Sequence, residues 1–220
     1  LAMNRFRTFA LRVSRNNTQT CWILKCDIKK FFANIDHGIL KKILAKYVSD
    51  SDILWLLGQV IDSFYAERKG VGLPLGNLTS QLLVNIYMNE FDTFAKHTLK
   101  LKYYVRYADD FLALHHNRKY LIELIPRIQD FLEKELKLHL HPQKIFIKTF
   151  ASGVDFLGWV HFPHHRVLRT ATKRRMLKKI KDYPTDEIIA SYEGLLRHGN
   201  AGLLSQEIKK LSRESLIILL

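Results

Sequence analysis

Lys102-Tyr103-Tyr104-Val105-Arg106-Tyr107-Ala108-Asp109-Asp110-Phe111-Leu112-Ala113-Leu114-His115 is the stretch that decides the fold. Lys102–Tyr107 and Phe111–His115 read as two short strands around Ala108-Asp109-Asp110, a hairpin signal. One aspartate suits a tight turn because its side chain hydrogen-bonds nearby backbone. Two in a row repel each other unless a cation holds them. Hard oxygen ligands of this kind suit Mg²⁺, which takes one or two carboxylates together with substrate phosphates. An ordinary surface turn is the competing reading of these residues alone.

Outward from the hairpin, residues 21–28 form a mostly apolar run that reads as a buried strand. Asp27 stands at its end, where an isolated charge is costly to bury. Beside the hairpin in one sheet, that strand would bring Asp27, Asp109 and Asp110 together. Such a set can hold two metal ions ~3.5–4 Å apart, the arrangement used in phosphoryl transfer. Asp36-His37-Gly38 reads as a cap before a helix over 37–48, and 52–65 as a second helix. Gly70, Gly72, Pro74 and Gly76 mark a loop ahead of a long helix over 78–96. A further helix is predicted over 119–137, with Pro126 implying a late start or a kink, and strands over 145–150 and 154–161. This order belongs to an α+β sheet with helices on one face, a split βαβ arrangement.

The 220 residues carry 35 Lys and Arg against 21 Asp and Glu, a net charge of +14, which favours a polyanionic partner, nucleic acid ahead of a membrane surface. Hydrophobic content of 47% excludes wholesale disorder, and no apolar run approaches the ~20 residues of a membrane span. Cys21 and Cys26 build neither a disulfide framework nor a zinc site, and read as reduced thiols of a cytoplasmic protein. The histidine pairs lack a carboxylate or cysteine to complete a ligand set. From Arg166 to Lys181 there are eight basic residues and no acidic one, so a domain boundary is expected near 165, with helices over 186–197 and 203–212 beyond it. Leu1 at the start and the apolar run Leu216–Leu220 at the end suggest a segment of a longer protein.

Five motifs, taken in order, resemble the reverse transcriptase family over nearly the whole chain. Asp27-Ile28-Lys29-Lys30-Phe31-Phe32, followed by Ile35-Asp36-His37, resembles its first catalytic motif. Gly72-Leu73-Pro74-Leu75-Gly76-Asn77 through Ser80-Gln81 resembles the second, and Tyr107-Ala108-Asp109-Asp110 the Tyr-x-Asp-Asp box. His141-Pro142-Gln143-Lys144 resembles the motif with a lysine near the departing pyrophosphate, and Phe156-Leu157-Gly158-Trp159 the primer-grip hairpin.

The resemblance implies a ferredoxin-like α+β polymerase palm over 21–165 and a truncated helical thumb over 166–220. The fingers would be largely missing, with 1–20 as their remnant. It implies Asp27, Asp109 and Asp110 as carboxylates for two Mg²⁺ ions (Mn²⁺ being an alternative), with the Ile28 carbonyl as a further ligand. Phe32 takes the steric-gate position that selects deoxynucleotides, while Phe31 fits a core role. Leu75, Gly76, Asn77 and Gln81 line the nucleotide and template, and Lys144 is either a general acid or a solvated lysine. Lys29 and Lys30 face phosphates or water. Tyr107, Phe156, Leu157, Gly158 and Trp159, together with the stripe Lys173, Arg174, Lys178 and Lys181, are expected to contact primer and template through their backbone.

Leu75 replaces the glutamine found at this position in group II intron maturases, and Gln81 follows Ser80 where those have proline. Residues 75–81 and 191–200 instead resemble diversity-generating retroelement enzymes. That resemblance implies error-prone cDNA synthesis from an RNA template with a DNA or RNA primer and dNTPs, an accessory variability protein as partner, no membrane, and a prokaryotic or phage setting. A retron or defence enzyme, a group II intron maturase and an inactive RNA-binding segment are the alternatives.

Overall fold

The computed structural model describes residues 1–208 and 211. Helix α1 (Ala2–Val13) leads into strand β1 (Trp22–Asp27). Helices α2 (His37–Ala45), α3 (Ser51–Asp62) and α4 (Leu78–Thr93) follow, the last running on through a π-helical turn at Phe94–Thr98. Strands β2 (Tyr104–Tyr107) and β3 (Asp110–His115) form the hairpin, and α5 (Arg118–Leu136) returns the chain to β4 (Phe146–Thr149). These strands make one antiparallel sheet in the order β2-β3-β1-β4, the ferredoxin-like order.

Alternation along the strands divides the side chains between two faces. Leu24, Cys26 and Ile28 of β1 and Phe111 and Ala113 of β3 face α4 and α5, where Tyr87, Met88, Phe91, Leu121, Leu124, Ile128 and Leu132 complete the main core. The Tyr87 hydroxyl donates to the Leu136 carbonyl at 2.7 Å and ties α4 to the end of α5. Ile23, Leu112 and Leu114 project from the opposite face, as do Asp27 and Asp110 by parity. Residues 1–20, expected as a remnant of fingers, here supply α1, whose Phe6, Ala10 and Val13 cover that second face. Burying Phe6 contributes about 1.5–3 kcal/mol.

Three expectations are corrected. Helix α5 begins on time, capped by the Asn117 side chain accepting from Lys119 N at 2.9 Å, and contains Pro126 without ending there. The run 154–161 is two strands, β5 (Val154–Phe156) and β6 (Trp159–His161), because Leu157 and Gly158 both take positive φ, +54° and +81°. The sheet they start is closed by β7 (Arg166–Leu168), so strand pairing crosses the boundary placed near 165.

Helices α6 (Thr170–Asp182) and α7 (Asp186–Leu196) and the helical residues 202–208 then pack around Trp159 through Met176, Ile180, Leu196, Leu204 and Ile208. A Cβ at Gly199 would stand 2.0 Å from the Trp159 ring, so only glycine fits there. The rest of the helix expected over 203–212, Leu211 apart, and the run Leu216–Leu220 lie outside the described residues.

Phe91 lies at the centre of an aromatic cluster, 4.9 Å from Phe111, with Phe94, Tyr104 and Phe131 around it. Phe91→Ala is expected to cost about 3–5 kcal/mol of stability through the cavity it leaves. Urea unfolding measures this; a loss below about 1 kcal/mol would mean that the core is not centred there.

Candidate active site

Asp27 and Asp110 are direct partners in the β1–β3 register. Opposed residues of an antiparallel pair have Cβ atoms ~4.5–5.5 Å apart on one face, so two carboxylates meet there. Asp109 joins them from the two-residue turn Ala108-Asp109, which links Tyr107 to its partner Asp110. Ala108 has φ +53°, a left-handed conformation costing an L-residue roughly 1–2 kcal/mol.

Arg106 offsets that cost. Its Nη1 donates to the Ala108 carbonyl at 3.1 Å and to Asn85 Oδ1 at 3.2 Å. Its Nε and Nη2 hold both oxygens of Asp92 at 2.9 and 2.6 Å, and the Tyr104 hydroxyl donates to the same carboxylate. A bidentate guanidinium–carboxylate pair fixes direction as well as distance. The turn is therefore anchored to α4, which carries Asn85 and Asp92. Arg106 and Asp92 escape a reading for chemistry; the available signal was a guanidinium inside an otherwise apolar strand.

Lys25 escaped as well, although it lies two residues before Asp27 on the same face. Its Nζ stands 2.8 Å from Asp110 Oδ2 and donates to the Asp155 carbonyl of β5 at 2.7 Å. Lys144 Nζ reaches both Asp27 oxygens at 3.0 Å. Asp110 Oδ1 is buried with no hydrogen-bond partner. Burial pushes the Asp110 carboxyl up to about 6 against the pull of Lys25, and the charges of Asp27 and Asp109 add to the rise. Burial first, then the charge of Asp27, raise Asp109 too. Among the described residues, no three His, Cys, Asp or Glu side chains stand in a metal-holding group. Crowded, desolvated carboxylates with an orphaned oxygen are the donor set a hard divalent cation fits. No hydrogen bond among the described residues reaches the Ile28 carbonyl, which leaves its lone pairs free.

The remaining expected residues divide. Phe31 is buried in the core and Phe32 half-buried, their rings 5.5 Å apart. Leu73 N donates to the Phe32 carbonyl and Gly72 N to that of Ile35, each at 2.8 Å, which brings the second motif beside the first. Gly72 has φ +109°, and a Cβ there would lie 2.7 Å from Ala66 Cβ. Leu75 is 79% exposed, so it does not pack the loop onto the palm, and Gly76 and Gln81 are exposed beside it. The Asn77 side chain caps α4 by accepting from Thr79 N at 3.1 Å. Tyr107 is exposed. Phe156 and Trp159, expected against the primer, are fully buried and serve two cores, while Leu157 and Gly158 between them are partly open. Arg174, Lys178 and Lys181 are exposed along α6, whereas Lys173 pairs with Glu207 at 3.3 Å. Both cysteines are buried and free, their thiols pushed up to about 12 by burial.

Residues 3–161 match the family described as "Reverse transcriptase (RNA-dependent DNA polymerase)". The chain belongs to the reverse transcriptase family. Protein YkfC of Escherichia coli is 25% identical over 219 residues, covering 82% of this chain and 56% of that one. The group II intron-encoded protein LtrA of Lactococcus lactis is 28% identical over 221 residues, covering 70% and 36%. The chain thus spans little more than half, or less, of the curated relatives it matches. The fold of this reverse transcriptase chain is also that of the telomerase of Candida albicans, at TM-score 0.59 and 12% identity over 97% of this chain and 43% of that chain. Apo telomerase of Candida tropicalis matches at TM-score 0.56 and 12% identity over 73% and 34%. Among the described residues no helix is long and apolar enough to cross a membrane.

The raised Asp110 carboxyl has a sign. A carboxyl whose folded pKa lies above its unfolded one favours folding at low pH and costs stability as pH rises through the folded value. Between pH 4 and pH 7 that cost reaches about 3 kcal/mol without cation. Millimolar Mg²⁺ is expected to raise the thermal midpoint at pH 7.5 and not at pH 5, with Asp110→Asn nearly insensitive at both. An equal Mg²⁺ response in Asp110→Asn would remove Asp110 from the site.

Proposed function

We propose that this chain is the palm and the start of the thumb of an enzyme that extends a DNA or RNA primer with dNTPs on an RNA template. The observation carrying the proposal is Asp27 opposed to Asp110 across two strands, with Asp109 in the adjoining clamped turn. Reverse transcriptases use divalent metal ions, and the neighbouring telomerase of Candida albicans is described in complex with a fragment of telomeric RNA, which supports an RNA template. When bound, two Mg²⁺ or Mn²⁺ ions would supply the charge that stabilises both the attacking 3′-oxygen and the departing pyrophosphate.

The chain's own residues do the rest. Asp27, Asp109 and Asp110 hold the cations, with the Ile28 carbonyl beside them. Lys144, whose Nζ stands 3.0 Å from both Asp27 oxygens, would meet the pyrophosphate oxygens and donate a proton to them. The Phe32 ring, packed edge-on against Phe31 at 5.5 Å, would exclude a ribose 2′-hydroxyl. Leu75, Gly76, Asn77 and Gln81 form the open floor beneath the nucleotide and template. Tyr107 and the Leu157-Gly158 turn face the primer end, and Arg174, Lys178 and Lys181 hold backbone phosphates whatever the sequence. The 75–81 and 191–200 resemblances support a cytoplasmic diversity-generating retroelement enzyme working with an accessory variability protein. The group II intron-encoded relative favours a second reading, an intron-type reverse transcriptase.

Asp109→Asn removes one ligand charge from a half-buried turn and is expected to cut primer extension by at least a hundredfold with the fold intact, as transition-state charge stabilisation of this kind is worth ~10²–10³ per group. Extension near the wild-type rate would sink the assignment. Leu75→Gln restores a polar contact of ~0.5–1.5 kcal/mol and is expected to lower misincorporation several-fold, most at template adenines. Sequencing cDNA copied from one defined template tests this; an unchanged error rate would clear Leu75 of any part in fidelity.

A further inference from the structure

At the far end of the palm sheet, α1, the turn after it, the segment 100–103 before β2 and the end of β3 enclose a cleft of about 340 Å³. Arg12, Arg15, Lys100, Lys102, His115 and His116 line it, and no carboxylate does. None of the four permanent cations joins an ion pair among the described residues. Four like charges in one concavity repel each other and attract a polyanion. The polar walls carry rings: His115 lies 4.4 Å from Tyr120 and 4.3 Å from His116, and Lys102 Nζ sits over the Tyr103 ring at 5.6 Å. Burial, with the charge of His116, holds His115 below the ordinary imidazole range, so at neutral pH it offers a face rather than a charge. Arg15 and Lys100 hold left-handed φ of +49° and +55°, and Asn16 and Asn17 extend that run beside the cleft; strain of this kind gathers at functional sites. The apolar lining residues Val13, Leu101 and Leu114 are buried, which leaves no protruding apolar side chain to enter a lipid surface.

We propose that this cleft is a second nucleic-acid site that takes single-stranded RNA, its phosphates between Arg12, Arg15, Lys100 and Lys102 and a base stacked on the histidine–tyrosine rings. Cations interleaved with rings are how unpaired strands are held, since a duplex hides its base faces. Asp110 and His115 are the two ends of β3, five residues or ~17 Å apart. The site therefore lies outside the carboxylate cleft and holds RNA before or after the stretch being copied.

Fluorescence anisotropy of an unstructured RNA of about 20 nucleotides, long enough for one such groove, tests the site without dNTPs or Mg²⁺, so the polymerase reading can fail without it. The proteins compared are wild type, Arg15→Glu/Lys102→Glu and Arg174→Glu/Lys178→Glu, all changed at exposed positions. The far-end pair is expected to weaken binding at least tenfold. It should flatten the log Kd against log salt slope by about 1.4, roughly 0.7 for each phosphate released. The α6 pair should lose affinity independently, and ultraviolet cross-links from the RNA should fall on Tyr103, Tyr120, His115 or His116. Unchanged affinity and slope in the far-end pair would overturn the site. An equal loss for a blunt DNA duplex would also overturn it, marking a general polyanion surface.

Discussion

Two carboxylates opposed across neighbouring strands cannot both stay charged and dry without a cation between or beside them. The pairing of Asp27 with Asp110 imposes that condition, and much of the surrounding structure answers it. Lys144 covers Asp27 from the loop before β4, and Lys25 covers one oxygen of Asp110 from within β1. The other Asp110 oxygen stays bare and buried. Lys25 and Lys144 thus partly neutralise the carboxylate pair at this end of the sheet.

Helix α4 joins the two halves of the site. It starts at Asn77, in the loop expected to lie under the nucleotide, and ends near Asp92, which grips Arg106 and through it the Ala108 carbonyl. The loop and the carboxylate turn are thus attached to the two ends of one helix. Lys25 makes a comparable link, from Asp110 to the Asp155 backbone of the small sheet whose Trp159 anchors the α6–α7 core.

Much of this was legible in the sequence because it is local. The period-2 runs around Ala108-Asp109-Asp110, the apolar run ending in Asp27 and the spacing of α2 to α5 suffice for an α+β sheet in a split βαβ arrangement. What was not legible depends on distant partners. Lys25 reads as one charge in a strand until Asp155, 130 residues away, comes beside it. Phe156 and Trp159 read as ligand-facing aromatics, yet Phe156 fills the core under α1 and Trp159 the core of α6 and α7. The positive φ of Leu157, which splits one expected strand into two, has no signal beyond the glycine that follows it. The exposure of Leu75 depends on where its loop sits, which spacing does not encode.

The proposed arrangement makes Asp27, Asp109 and Asp110 one cation site, with Lys25 and Lys144 as the cations now beside it. Titration of Mn²⁺ into the protein, followed by the loss of the free-ion electron paramagnetic signal, tests it most directly. Saturable binding is expected, weaker in Asp27→Asn and tighter in Lys144→Ala, where the competing ammonium is gone. Binding indifferent to both substitutions would contradict it.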